Sequence, residues 1–167
     1  MRAGRVGLTT LASAVFGAMA FLAAVSLMTA ISDSVRSATI PVPQVGSPAP
    51  NFALTDLDGT VTDLTQFRGQ KVVLVFWADW CPDCKAIVPD LNLINDGEAV
   101  VLAINLLESK ERVQAAAAKA RMRYEILLDR KGEVGRLYGV QAIPSVFVID
   151  ENGVIIEHTF GVPTLVE

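Results

Sequence analysis

Only two cysteines occur in the 167 residues, and they stand three apart in Trp80-Cys81-Pro82-Asp83-Cys84. They follow the apolar run Val72-Val73-Leu74-Val75-Phe76-Trp77 and open a helix-like stretch. In that setting a Cys-x-x-Cys pair points to dithiol/disulfide exchange, because thiols at i and i+3 share one face of a helix. Three plainer readings compete with it. A tetrahedral zinc site wants four ligands, usually in two separated pairs, and here the only other candidate is the single histidine, His158. A structural disulfide across so short a loop removes little unfolded-chain entropy. Inert buried cysteines are the third, but Pro82 at a helix start favours an exposed Cys81.

At a helix N-terminus a Cys81 thiolate faces unpaired backbone N–H groups and the positive end of the helix dipole, which stabilise the anion. Asp83 acts the other way if its charge lies close. Cys81 is thus the expected nucleophile, and Cys84 the thiol that resolves its mixed disulfide. Trp77 reads equally well as core, whereas Trp80 reads as an exposed contact beside the site. His158 follows a predicted strand and is assigned no role.

These residues need a scaffold, and the chain divides into an apolar start and a polar remainder. Val6 to Ile31 is a run of 26 residues without a charge. As a helix it measures about 39 Å, enough to cross a hydrocarbon core of about 30 Å with some tilt. Arg2 and Arg5 precede it and Asp33 is the first charge after it, so residues 1–5 are placed in the cytoplasm and everything beyond residue 32 outside. A cleaved signal peptide is the competing reading, but the run exceeds the usual apolar region of about 7–15 residues. The exit also suits cleavage poorly, with bulky Met28 in Met28-Thr29-Ala30 and charged Arg36 in Arg36-Ser37-Ala38. The expectation is a single-pass membrane anchor, with an extracytoplasmic domain in either case.

Residues 32–50 hold Pro41, Pro43, Pro48 and Pro50 and read as an extended tether reaching roughly 60 Å. Residues 51–167 are enough for one domain with its own core. All 18 acidic residues but only 12 of the 14 basic ones follow residue 32, so the exported part carries a net charge of −6. That argues against nucleic acid and against adhesion to an anionic membrane surface.

Within the domain, Phe52-Ala53-Leu54 and Val61 to Leu64 flank the turn signal at Asp56 to Gly59 and predict a hairpin. Lys71 to Trp77 and Ala99 to Asn105 predict strands buried on both faces. Residues 82–96 predict one helix, kinked by Pro89. Ser109 caps a helix running to about Arg123, Glu125 to Leu128 form a short strand, and Glu133 to Tyr138 a short helix closed by Gly139. Ser145 to Ile149 and Val154 to Glu157 make a final hairpin. Strands alternating with helices before a closing hairpin predict an α/β fold around a mixed sheet.

Four segments carry a resemblance to the thioredoxin superfamily, and within it to membrane-anchored TlpA/ResA-like thiol:disulfide oxidoreductases. They are Gly46 to Phe52, Val75 to Lys85, Tyr138 to Ser145 and Phe147 to Gly153, within a match over about residues 46–161. The resemblance implies a thioredoxin-like fold with an N-terminal β-hairpin extension and no cofactor beyond the redox-active cysteines. It also implies a cis bond before Pro144, with Ile143, Pro144, Trp80 and Pro82 contacting substrate. The chain departs from the family where Val75 replaces the buried acid of thioredoxins and Ile87 the Glu of many TlpA-like proteins. Asp83 is the nearest remaining carboxylate, either a modulator of the site or ordinary surface charge. The chain stops at Glu167 where the family usually has another helix; Thr164-Leu165-Val166-Glu167 could start one. The implied function is extracytoplasmic disulfide reduction, with electrons from a membrane thiol carrier of the DsbD/CcdA kind and apocytochrome c as the commonest substrate of such relatives. A disulfide oxidase or isomerase, a thiol peroxidase and a copper-delivery module remain as alternatives.

Overall fold

The computed structural model describes residues 42–165. The stretch read as an anchor, residues 6–31, and most of the predicted tether lie outside the described residues. Among the described residues no helix is long and apolar enough to cross a membrane.

The two unalternating apolar runs and the short strand predicted after them form the parallel centre of the sheet. β3 (Val72–Trp77) is buried at all six positions and pairs in parallel with β4 (Val100–Leu106), which pairs in parallel with β5 (Glu125–Asp129). Strands covered on both faces have no polar side to alternate with, hence the continuous Val/Leu/Ile sequence. The predicted hairpins flank this centre. β1 (Ala53–Asp56) and β2 (Val61–Asp63) turn at Gly59, where φ is +95°. The Asp56 carboxylate accepts the Asp58 and Thr60 N–H groups at 2.8 Å, which closes the turn. β6 (Ser145–Ile149) and β7 (Ile155–Thr159) form the closing hairpin, and the strand order is β2-β1-β5-β4-β3-β6-β7.

Helices cover both faces. α1 (Pro82–Ala86), α2 (Val88–Gly97) and α3 (Lys110–Ala120) lie over Val73, Val75 and Trp77. α4 (Glu133–Leu137) and Phe52 cover the opposite face, packing with Phe76, Tyr138 and Phe147. This is the thioredoxin-like mixed sheet with a β-hairpin extension that the resemblance implies.

Three boundaries differ from expectation. The predicted helix over 82–96 is two helices, broken at Ile87 (φ −85°, ψ −4°) rather than bent at Pro89. A proline ring collides with the carbonyl four residues back, here Lys85, so the chain breaks upstream of Pro89, which then sits in the first turn of α2. α3 ends at Ala120, with Arg121 in the left-handed region (φ +56°) donating its N–H to Ala118. Residues 46–49, read as tether, are hydrogen-bonded onto β7: Gly46 N–H reaches the Ile155 carbonyl at 2.7 Å, Ile155 N–H the Ser47 carbonyl at 3.0 Å, and Ala49 N–H the Gly153 carbonyl at 2.9 Å. The Tyr138 hydroxyl also donates to the Pro50 carbonyl at 2.7 Å. Apart from a local turn in which Ser47 N–H donates to the Gln44 carbonyl, the segment has no ladder of its own, so the Gly46 and Ala49 amides were free to take a sheet edge. At the other end no helix begins by Leu165; the Thr164 hydroxyl donates to the Glu157 carboxylate at 2.7 Å.

Candidate active site around Cys81 and Cys84

β3 delivers its C-terminal end to a short loop, Ala78 to Trp80, after which Cys81 caps α1. Cys81 and Cys84 form a disulfide, with Cα atoms 5.4 Å apart. The Cys81 sulfur also accepts the Cys84 N–H at 3.1 Å. α1 is only five residues long, so its dipole is short, and the Cys84 N–H is the nearest backbone donor aimed at the Cys81 sulfur.

Cys81 is not the exposed residue that Pro82 suggested: only 3% of its surface is accessible, and Cys84 is equally buried. The loop before β6 covers it. The Ile143–Pro144 peptide is cis, and the Ile143 carbonyl oxygen stands 3.7 Å from Cys81 Sγ. Ile143 is half-buried and packs against the cluster that contains both cysteines. Among the described residues its peptide groups have no backbone partner.

The other expected site residues divide. Trp80 is 67% exposed beside the disulfide, whereas Trp77 is core. Pro144 is buried next to Ile143. Pro82 and Asp83 are exposed in the first turn of α1, and Asp83 enters no ion pair among the described residues. His158 lies on the far face of the sheet, stacked on Phe147 at 4.1 Å and hydrogen-bonded with Ser145 Oγ through Nε2 at 2.9 Å. It cannot join the cysteines in a metal site.

One carboxylate next to the site escaped the sequence reading. Glu108 follows β4, and its side chain is only 9% exposed. It accepts the Asp79 N–H and the Asn105 amide, each at 2.8 Å, and pairs with Arg112 at 3.0 Å. Asp79 in turn binds Lys85 at 3.0 Å and Arg112 at 3.1 Å. The Lys85 ammonium bonded to Asp79 and the Arg112 charge beside it hold the Asp79 carboxyl below its ordinary range. The active-site loop is therefore clamped to α1 and α3 by a chain of alternating charges. Strand pattern gave no sign of it, since Glu108 lies between a predicted strand and a predicted cap.

Next to Trp80 runs a groove of about 440 Å³, walled by Leu106, Leu107, Val140, Ala142 and Ile143, with the polar side chains of Glu108, Arg112 and Gln141 also lining it. Leu107 has φ +64°, a conformation that costs a leucine on the order of 1–3 kcal/mol.

Comparison with known proteins agrees with this geometry. Residues 45–158 match the model of the AhpC/TSA family. The thiol-disulfide oxidoreductase ResA of Geobacillus kaustophilus is 36% identical over 72% of this chain and 71% of its own. ResA of Geobacillus thermodenitrificans is 38% identical over 65% of each chain, so about two thirds of these relatives' length is spanned. Among solved structures, a Chlorobium tepidum protein assigned as the thiol:disulfide interchange protein DsbE superposes with TM-score 0.68 at 32% identity, over 73% of this chain and 89% of that one. StoA from Bacillus subtilis superposes with TM-score 0.59 at 28% identity, over 71% and 92%.

Proposed function

The chain belongs to the AhpC/TSA family and, like its ResA-named relatives, is a thiol-disulfide oxidoreductase; from that premise we propose that it reduces protein disulfides on the extracytoplasmic side of a membrane. The observation that carries the direct chemistry is the Cys81–Cys84 disulfide beneath the unpaired Ile143 peptide. An extended substrate segment pairs its backbone with that peptide and brings its own disulfide to Cys81.

In the dithiol form, Cys81 loses its proton and its sulfur attacks one sulfur of the substrate disulfide. A Cys81–substrate disulfide forms, and the departing substrate sulfur takes up a proton. Cys84, deprotonated in turn, attacks Cys81 Sγ. That closes the Cys81–Cys84 bond seen here and releases the second substrate thiol. Two electrons have moved to the substrate, and a dithiol donor must return two. A membrane thiol carrier of the DsbD/CcdA kind suits that role, and apocytochrome c is a suitable substrate class. The apolar run at residues 6–31 supports the membrane-anchored, extracytoplasmic placement.

The buried Ala78 disfavours peroxide reduction, since it stands three residues before Cys81 where a peroxidatic cysteine has a threonine hydroxyl. Copper delivery is disfavoured by the position of His158 on the far face.

The reduction potential of the Cys81–Cys84 pair tests the direction. Equilibration with glutathione or DTT buffers should give a value near or below about −270 mV, as for thioredoxin. A value near about −120 mV, as for DsbA, makes the protein an oxidase instead.

A further inference from the structure

We propose that Leu107 sets substrate selectivity: it holds an apolar wall beside the disulfide that receives an apolar side chain flanking the cysteine of an extended protein substrate. The inference rests on the reductase reading and names the substrate class of that same site.

Leu107 stands in the left-handed region at φ +64°, where glycine fits freely and a bulky residue does not. Its N–H donates to the Asp129 carbonyl at 3.1 Å, which fixes the turn. The loop after β5 is shaped around the leucine. Gly132 lies against it, and a Cβ added there would meet Leu107 Cδ2 at 3.1 Å. Yet the leucine is 68% exposed and so adds little to the core. A disfavoured backbone that presents a large apolar side chain to solvent is poorly explained by folding alone.

Its surroundings say what it meets. Leu107 shares the groove with Trp80 and Ile143, and these two adjoin the disulfide, Trp80 as the neighbour of Cys81 and Ile143 through its carbonyl. The groove therefore continues the site where the substrate disulfide must lie. The charges at its rim are already matched, Arg112 with Glu108 at 3.0 Å and with Asp79 at 3.1 Å. They leave no uncompensated charge to recruit an ionic partner. What remains is mostly apolar surface, with the Gln141 amide the one uncharged polar side chain among its lining, and about 440 Å³ admits one large side chain with its backbone. Trp80 and Ile143 adjoin both the groove and the disulfide, so the side chain received belongs to a residue that flanks the substrate cysteine.

The test uses the full-length protein and two disulfide-linked peptides, identical except for Phe or Ser beside one cysteine. The wild type should prefer the Phe peptide in kcat/KM by about tenfold or more, the discrimination that apolar pockets reach. Leu107→Ala should bring the ratio close to one, chiefly through KM, and Leu107→Met should keep it. Leu107→Gly, which relaxes the backbone, should melt no lower than wild type and still lose the preference. Equal turnover of both peptides by the wild type, or a preference retained in Leu107→Ala, overturns the assignment of Leu107 while the reductase reading stands. No turnover of either peptide by wild-type protein overturns the reductase reading and this inference with it.

Discussion

The sulfur of Cys81 lies 3.7 Å from the carbonyl oxygen of Ile143 and 3.1 Å from the amide nitrogen of Cys84. The two contacts favour opposite protonation states. Once the disulfide is reduced, the carbonyl can accept a thiol proton, whereas the Cys84 N–H can only stabilise the anion. A substrate N–H that pairs with the Ile143 carbonyl competes for the first contact and leaves the second in place.

The two cysteines should separate cleanly by mutation. Cys81→Ser is expected to abolish reduction of insulin disulfides. Cys84→Ser is expected instead to accumulate a mixed disulfide with substrate, visible as an adduct on a non-reducing gel and released by DTT. Full insulin reduction by Cys81→Ser rules out the mechanism.

Glu108→Ala removes a nearly buried acceptor from the Asp79 N–H and the Asn105 amide and deprives Arg112 of one partner. A loss of about 1–3 kcal/mol in urea unfolding is expected, the usual cost of leaving buried donors unpaired. Glu108→Gln keeps an acceptor in place and should lose less.

Tyr138→Phe deletes the hydroxyl that donates to the Pro50 carbonyl across 88 residues of sequence. About 1 kcal/mol of stability should go. The segment around residues 46–50 should also show faster amide exchange than in wild type, since one of its attachments is gone.

His158 provides a pH test with one resolvable probe, being the only histidine. Packing against Phe147 and Phe160 partly desolvates the otherwise exposed ring and lowers its pKa below the ordinary 6.5. The unfolded chain therefore takes up a proton before the folded one. The stabilisation is complete above pH 6.5 and is lost as pH falls through the lower folded-state value. NMR titration should give a midpoint below that of a random-coil histidine, and His158→Phe should flatten the fall in stability as pH drops below about 6.5. A midpoint at or above 6.5 contradicts this account.

The sheet was largely legible because its signals are local. Val72 to Trp77 is apolar without interruption, and the hairpin turns carry Asp56 to Gly59 and Asp150 to Gly153. The cysteine pair was equally plain. The burial of Cys81 was not, because it is imposed by Ile143, 62 positions away. Leu107 and Glu108 fell in a connection between two predicted elements, where period and propensity are silent. A leucine at positive φ cannot be read from its own identity, since glycine is the usual signal for that geometry.

Both margins of the sheet are short. β2 is three residues long, and residues 46–49 bond Ile155 of β7 and Gly153 in the turn before it, so Ile156 to Thr159 keep an open outer edge among the described residues. A second copy thus meets a template of at most about four residues at either margin. An exposed strand of a bound protein therefore finds few free amides to pair with, which limits growth of a shared sheet across either margin.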